Sequence, residues 1–287
     1  MNCEIYWNQC ARRMVGASVT HALRSRWTEE HRARNTPVRG FCMAIKDPFD
    51  LALSGATQAG FVPYSQAVRQ LQCFIGDPVA SVDRAIAQDP GFVMAHVFKG
   101  YLFGLATERD ATAVARACHE AALPLAATAR EAAHVLALGH LANGRWHDAA
   151  RILEDVAIET PLDALALQVG HQIDFFTGNA RMLRDRIARA LPSWQSGMPG
   201  YHAILGMQAF GLEEMGDYAR AEKLGRAAVE IEPRDGWAQH AVAHVMEMQS
   251  RQRDGIAWMR ANPDAWTKES FLQVHNWWHL ALFRLEA

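Results

Sequence analysis

Helix-ending turns recur at a nearly constant interval along most of this chain, and that period constrains the fold more than any other feature. The turns are Gly76-Asp77, Arg109-Asp110, Gly144-Arg145, Gly178-Asn179, Gly216-Asp217 and Ser250-Arg251. With Gly76, Asp110, Gly144, Gly178, Gly216 and Ser250 as markers, successive intervals are 34, 34, 34, 38 and 34 residues. The extra residues of the long interval fall in SWQSGMPG, residues 193–200, where proline and glycine stop a helix and lengthen a loop. A fixed period of this length marks an array of helix-turn-helix units, each of which buries its apolar face only against its neighbours.

Within one period the pattern is specific. In LGMQAFGLEEMGDYARAEKLGRAAVEIEP, Leu205, Gly206 and Phe210 precede the turn, and Tyr218, Ala221, Ala228 and Pro233 follow it. AHVLALGHLANGRWHDAARILEDVAIETP repeats the arrangement with Leu138, Gly139, Gly144, Trp146, Ala149 and Pro161. Small residues such as Ala221 let paired helices approach, while Leu205 and Phe210 fill the space between them. This is the tetratricopeptide pattern. No β-alternation of comparable length competes, so the expected fold class is all-α: a tetratricopeptide-repeat α-solenoid of antiparallel helix pairs with almost no sheet.

The chain has 287 residues, half of them hydrophobic and 21% charged, enough to bury a large core. A net charge of −2 gives no general attraction to polyanions, so neither nucleic acid nor an anionic membrane is an expected partner. The cysteines, Cys3, Cys10, Cys42, Cys73 and Cys118, are odd in number and contain no C-x-x-C spacing. Reduced thiols fit best, and with no secretory signal the expected location is cytoplasmic. Cys73 and Cys118 lie among apolar neighbours and read as core. The strings of P-loops, dinucleotide folds and hydrolase elbows are absent.

Residues 1–42 stand outside the period and are rich in arginine, including Arg12, Arg13, Arg24, Arg26, Arg32, Arg34 and Arg39. They read as an extension separate from the solenoid of residues 43–287, of the kind produced by a start assigned too early. Glu4, Glu29 and Glu30 weaken the alternative of a targeting segment. At the other end, His275 to Ala287 reads as the first helix of a repeat whose partner is absent, so the last repeats are expected to be missing.

Two histidine pairs carry the chemistry. His240 and His244 in HAVAHVMEM, and His275 and His279 in HNWWHLALF, each recur at i,i+4 and so share one helix face. In repeats of this type the first helix of each pair lines a concave groove. His240 and His244 lie ten and six residues before the Ser250 turn, offsets that point inward, with Glu247 on the same side. His275 is expected to point inward too, with His279 bordering the groove. Adjacent first helices pack roughly 10 Å apart, so side chains from two neighbours can converge on one ligand.

Three readings follow from these residues. One is a metal centre made from three of His240, His244, His275 and His279, with Glu247 as ligand or general base and a divalent metal such as zinc. Another is a polar site that binds a carboxylate or peptide by hydrogen bonds. The third is a set of satisfied structural histidines. Trp237, Trp258, Trp266 and the Trp277-Trp278 pair surround the cluster; Trp277 is expected in the large core position of its helix, leaving Trp278 to meet a ligand. Upstream, Gln172 and Tyr201 are groove candidates beside His202 and Asp174, and His171 is expected to be buried and hydrogen-bonded. Glu213 and Glu214 read as solvated charges or as carboxylates that attract a cation. His96, His119, His134, His140 and His147 read as structural or solvated singles.

The strings DPFDLALSG, DPGFVMAHVFKGYLF, GMQAFGLEEMGDYARAE, DGWAQHAVAHVMEMQSRQRDGIAWM and HNWWHLALF together resemble the tetratricopeptide repeat protein 38 family over about residues 43 to 287. The resemblance implies the repeat fold and a longer chain that continues past HNWWHLALF; it implies no reaction. The expected function is a binding module that takes a protein tail, a peptide or a small anionic ligand in the concave groove, at His240, His244, Glu247, His275, Trp278 and His279, with Gln172, Tyr201 and Glu214 extending the site. The alternative is an enzyme in the same groove, using a metal or a histidine–carboxylate pair with Glu247 or Glu214 as base.

Overall fold

The computed structural model describes residues 45–287. The Arg-rich stretch 1–42 lies outside the described residues. The described chain is an all-α solenoid of helix pairs, preceded by a short hairpin in which β1 (Ile45–Lys46) runs antiparallel to β2 (Ala52–Leu53). Its turn is held by the Asp47 carboxylate, which accepts from the Phe49 and Leu51 amides. The pairs are α1 (Gln58–Cys73) with α2 (Pro78–Gln88), α3 (Val93–Gly104) with α4 (Arg109–Ala122), and α5 (Ala129–Ala142) with α6 (Trp146–Glu159). They continue with α7 (Ala164–Phe176) and α8 (Ala180–Ala190), α9 (Tyr201–Glu214) and α10 (Tyr218–Ile231), then α11 (Gly236–Met248) and α12 (Gln252–Ala261). A short α13 (Pro263–Thr267) leads into α14 (Gln273–Leu285). Among the described residues no helix is long and apolar enough to cross a membrane.

The turn residues of the sequence perform two tasks at once. Gly216 has φ of 79°, a backbone region that costs an L side chain steric strain, and it ends α9. Its neighbour Asp217 accepts the Arg220 amide and starts α10. Gly178-Asn179 and Gly76-Asp77 work in the same way, with Asn179 capping α8 and Asp77 capping α2 ahead of Pro78. The Arg109-Asp110 marker is corrected: those residues open α4, and the left-handed turn residue is Thr107, because α3 stops early at Gly104. The long interval takes the expected form, a 3-10 turn at Leu191–Ser193 and a loop with positive φ at Gly197 and Gly200.

Small residues set the closeness of the pairs. Ala221, Gly225 and Ala228 are the buried face of α10, and a Cβ on Gly225 would stand 2.5 Å from a Val242 methyl carbon of α11. Gly170 of α7 gives room to the buried Arg186 guanidinium, which pairs with Asp174 at 2.8 Å and with Glu154 at 2.8 Å.

The end of α1 crosses the inner face of the later repeats. Leu71 offers its carbonyl to Gln168 of α7, and Phe74 stacks on Trp237 of α11 at 5.3 Å. Ile75 and Ser270 form an antiparallel bridge, flanked by Gly76 N–H to Glu269 O and Phe271 N–H to Phe74 O. Phe74, Leu167, Ile204, Trp237, Phe271 and Leu272 form one buried cluster. The chain thus fills part of its own groove and ties its first described repeat to its last helices. Packed between α8, α10 and α11, α9 is buried almost all round, from His202 to Glu213.

Candidate functional site

The histidine site is built by two helices one repeat apart. Asp235 caps α11 by accepting the Ala238 amide and so fixes its start. From there His240 and His244 face α14, where His275 and His279 occupy the matching turns. Ring centroids are 4.1 Å apart for His240 and His244, 4.6 Å for His275 and His279, 4.6 Å for His240 and His275, and 4.7 Å for His244 and His279. One ligand nitrogen from each of the four rings lies within 4.8 Å of the others. His240, His275 and His279 are buried, and His244 is partly exposed.

Proton counting shows what this packing demands. A neutral imidazole has one N–H and one lone pair. Glu247 accepts from His279 Nδ1 at 2.5 Å, which leaves a lone pair on His279 Nε2. His275 Nε2 sits 3.0 Å from that lone pair and 2.7 Å from His240 Nε2. Whichever tautomer His275 takes, one of the two contacts lacks a hydrogen bond of its own. Protonation does not resolve the conflict at neutral pH, because burial pushes His240, His275 and His279 below the ordinary histidine range. Neighbouring histidines add to the effect in each case, and Glu247 only partly offsets it at His279. A cation shared by the three Nε2 lone pairs does resolve it. Nitrogens bound tetrahedrally to one zinc stand about 3.3 Å apart, so the two contacts that His275 Nε2 makes, at 2.7 and 3.0 Å, are both somewhat shorter than the spacing of ligands on a shared ion.

Carboxylates line the partly exposed side. Glu247 and Glu213 are 34 residues apart, at the same position of successive repeats, and each faces Nδ1 of a histidine on the next first helix. Burial raises the Glu247 carboxyl, but the His279 hydrogen bond and the charges of His279 and His244 together outweigh this and hold it below the usual range. Glu213 stands 3.6 Å from His244 Nδ1, with Glu214 beside it. Behind the rings, Phe210 stacks on His240 at 5.6 Å, and Trp237 lies 5.3 Å from the same ring, linking it to Phe74.

The other sequence candidates divide. Gln172 is buried on α7 with its Nε2 amide donating no hydrogen bond, and Tyr201 packs at the start of α9; neither joins the histidine cluster. His171 is buried as expected: its Nδ1–H donates to Leu183 O, its Nε2 accepts from Trp237 Nε1, and burial pushes its pKa down to about 3. His202 donates from Nδ1 to Asp235 at 2.7 Å. The expectation for Trp277 is corrected. It is 48% exposed and lies edge-on to Trp266, which is 1% exposed and fills the core with Met259, Leu280 and Phe283. Helix α13 inserts Trp266 where α14 was expected to bring its own ring, and Trp278 is partly buried. Trp258 donates to Gln239 O and lies under the Arg226 guanidinium.

Sequence reasoning missed a second polar centre. His134 joins Tyr101 to Asp163, which also pairs with Arg130 and caps α7. Arg130, Asp163, Tyr64, Gln72 and His202 help to line a cavity of about 550 Å³ between α1 and the inner helices. Only the aspartate before each helix start signalled these contacts in the sequence. No protein-family model matches the chain.

Proposed function

We propose that this chain is a metal-dependent protein of the tetratricopeptide-repeat type, akin to the tetratricopeptide repeat protein 38 family, in which His240, His275 and His279 hold a divalent transition metal through Nε2 and His244 stands at the edge of the coordination sphere. The observation that carries the reading is the convergence of three Nε2 atoms at 2.7 and 3.0 Å in a buried setting with too few protons to serve both contacts. Imidazole suits zinc and its neighbours, and three histidines with a carboxylate behind one of them is a ligand set that leaves a coordination position open. The partial exposure of His244 and Glu247 supports access of solvent and of a small anionic ligand or peptide carboxylate from that side. Such an ion acts as a Lewis acid toward whatever it binds, with Glu247 holding the orientation of His279 behind it. The buried thiols of Cys73 and Cys118, pushed up by burial to about 12 and about 11, fit a reducing cytoplasmic setting.

A second reading, ligand binding without a metal, is favoured by the cavity beside α1. Elemental mass spectrometry of tag-free protein separates the two. At least one equivalent of zinc, manganese or iron in the parent, lost in His240→Ala/His275→Ala, is the expected result. A folded parent that takes up no metal overturns the first reading and leaves the second.

A further inference from the structure

The acidic end of α9 shows a different arrangement from that of α11, although both belong to the same repeat position. Glu213 and Glu214 are the last two residues of α9, where the negative end of the helix dipole disfavours carboxylates. The Glu213 side chain is only 4% exposed, and its Oε2 is buried with no hydrogen bond. Among the described residues no lysine or arginine pairs with Glu213 or Glu214. Among the described residues, the counter-charge at these two acidic groups is limited to what His244 can carry.

The distances point to what is missing. Glu247 meets His279 Nδ1 at hydrogen-bond length, 2.5 Å. Glu213 meets His244 Nδ1 at 3.6 Å, too long for a hydrogen bond and close to the separation of about 3.3 Å between two ligands of one divalent ion. One donor atom each from Glu213, Glu214 and His244 lies within 4.8 Å of the others. Glu247 therefore orients a ligand, while Glu213 is spaced as a ligand.

We infer that Glu213, Glu214 and His244 form a second divalent-cation subsite beside the trio of His240, His275 and His279, so that the centre holds two ions. The inference rests on the metal reading above. Two carboxylates neutralise one divalent ion, and two oxygens with one imidazole suit manganese, zinc or ferrous iron rather than a soft metal. A neutral imidazole has a single lone pair, so in the two-ion state His244 serves the carboxylate subsite and the three Nε2 atoms serve the other.

The test is metal stoichiometry. Chelator-stripped, tag-free full chain is titrated separately with manganese and zinc, freed of excess ion by gel filtration and analysed for metal and protein. The parent is expected to retain two equivalents and Glu213→Gln/Glu214→Gln one, with second-ion affinity reduced roughly tenfold or more. The glutamines keep the shape of the side chains, and circular dichroism checks the fold; if the double variant does not fold, Glu213→Gln alone is read by the same criterion. One equivalent in both parent and variant overturns the second subsite and leaves the histidine trio standing. Two equivalents in the folded variant overturn the assigned ligands. No metal in any form overturns both readings.

Discussion

Replacing Glu247 tests the orienting carboxylate behind His279. Its Oε2 accepts the Nδ1 proton at 2.5 Å, and this fixes the tautomer that presents Nε2 to the cluster. Loss of such an outer carboxylate typically lowers metal affinity by 10- to 100-fold, or about 1.4–2.7 kcal/mol. The side chain is 30% exposed, so solvent screens part of its charge, and Glu247→Ala is expected near the lower end, roughly 10- to 30-fold. Glu247→Gln keeps an acceptor oxygen but loses the charge. Because charge-assisted hydrogen bonds are roughly twice as strong as neutral ones, it should give back about half of that free energy and leave a loss of about 3- to 5-fold. Competition with a chromogenic chelator at pH 7.5 measures both variants against the parent. The graded order parent, glutamine, alanine is the expected outcome. Parent-like affinity in Glu247→Ala refutes the role assigned to the carboxylate.

Acid should destabilise the metal-free fold. Burial depresses His171 to about 3 and His275 to about 2, whereas an unfolded histidine titrates near about 6.5. The unfolded chain therefore binds the extra protons: their contribution is intact above neutral pH and falls as pH drops through that value, by about 1.4 kcal/mol per pH unit for each group. A urea midpoint as high at pH 5.5 as at pH 7.5 contradicts this. Gly170→Ala sets a Cβ 2.7 Å from the Arg186 guanidinium and should disrupt its pairing with Asp174 and Glu154, costing about 3 kcal/mol in urea unfolding; a loss below about 1 kcal/mol is the contrary result. Phe74→Ala removes the ring stacked on Trp237 and should cost about 3–5 kcal/mol and speed hydrogen exchange at Gly76 and Phe271; unchanged exchange there means that the closure is not held by this contact.

The repeat was readable because its signals are local. Gly216-Asp217 ends one helix and caps the next within two residues, so a period of such pairs maps directly onto helix pairs. The turn at Thr107 was not legible because a left-handed threonine has no sequence signature, whereas Asp110, three residues later, sits at the regular spacing. The histidine pairs were readable for the same reason: i,i+4 fixes a shared face, and 35 residues between His240 and His275 fixes adjacency in neighbouring repeats. Their depth was not readable. It depends on Phe74 and Ile75 reaching across to Trp237 and Ser270, contacts separated by more than 160 residues that no local pattern encodes. Trp277 and Trp266 illustrate the same limit, since nothing in HNWWHLALF shows that a short helix upstream already supplies the core ring.

X-ray absorption at the zinc edge, on zinc-loaded tag-free protein, tests the metal centre most directly. The expected spectrum has nitrogen and oxygen neighbours at about 2.0 Å with the outer-shell scattering of at least three imidazoles, reduced in His240→Ala/His275→Ala. Sulfur neighbours at about 2.3 Å, or a first shell without imidazole scattering, would place the ion elsewhere in the chain and contradict the assignment of the histidine cluster.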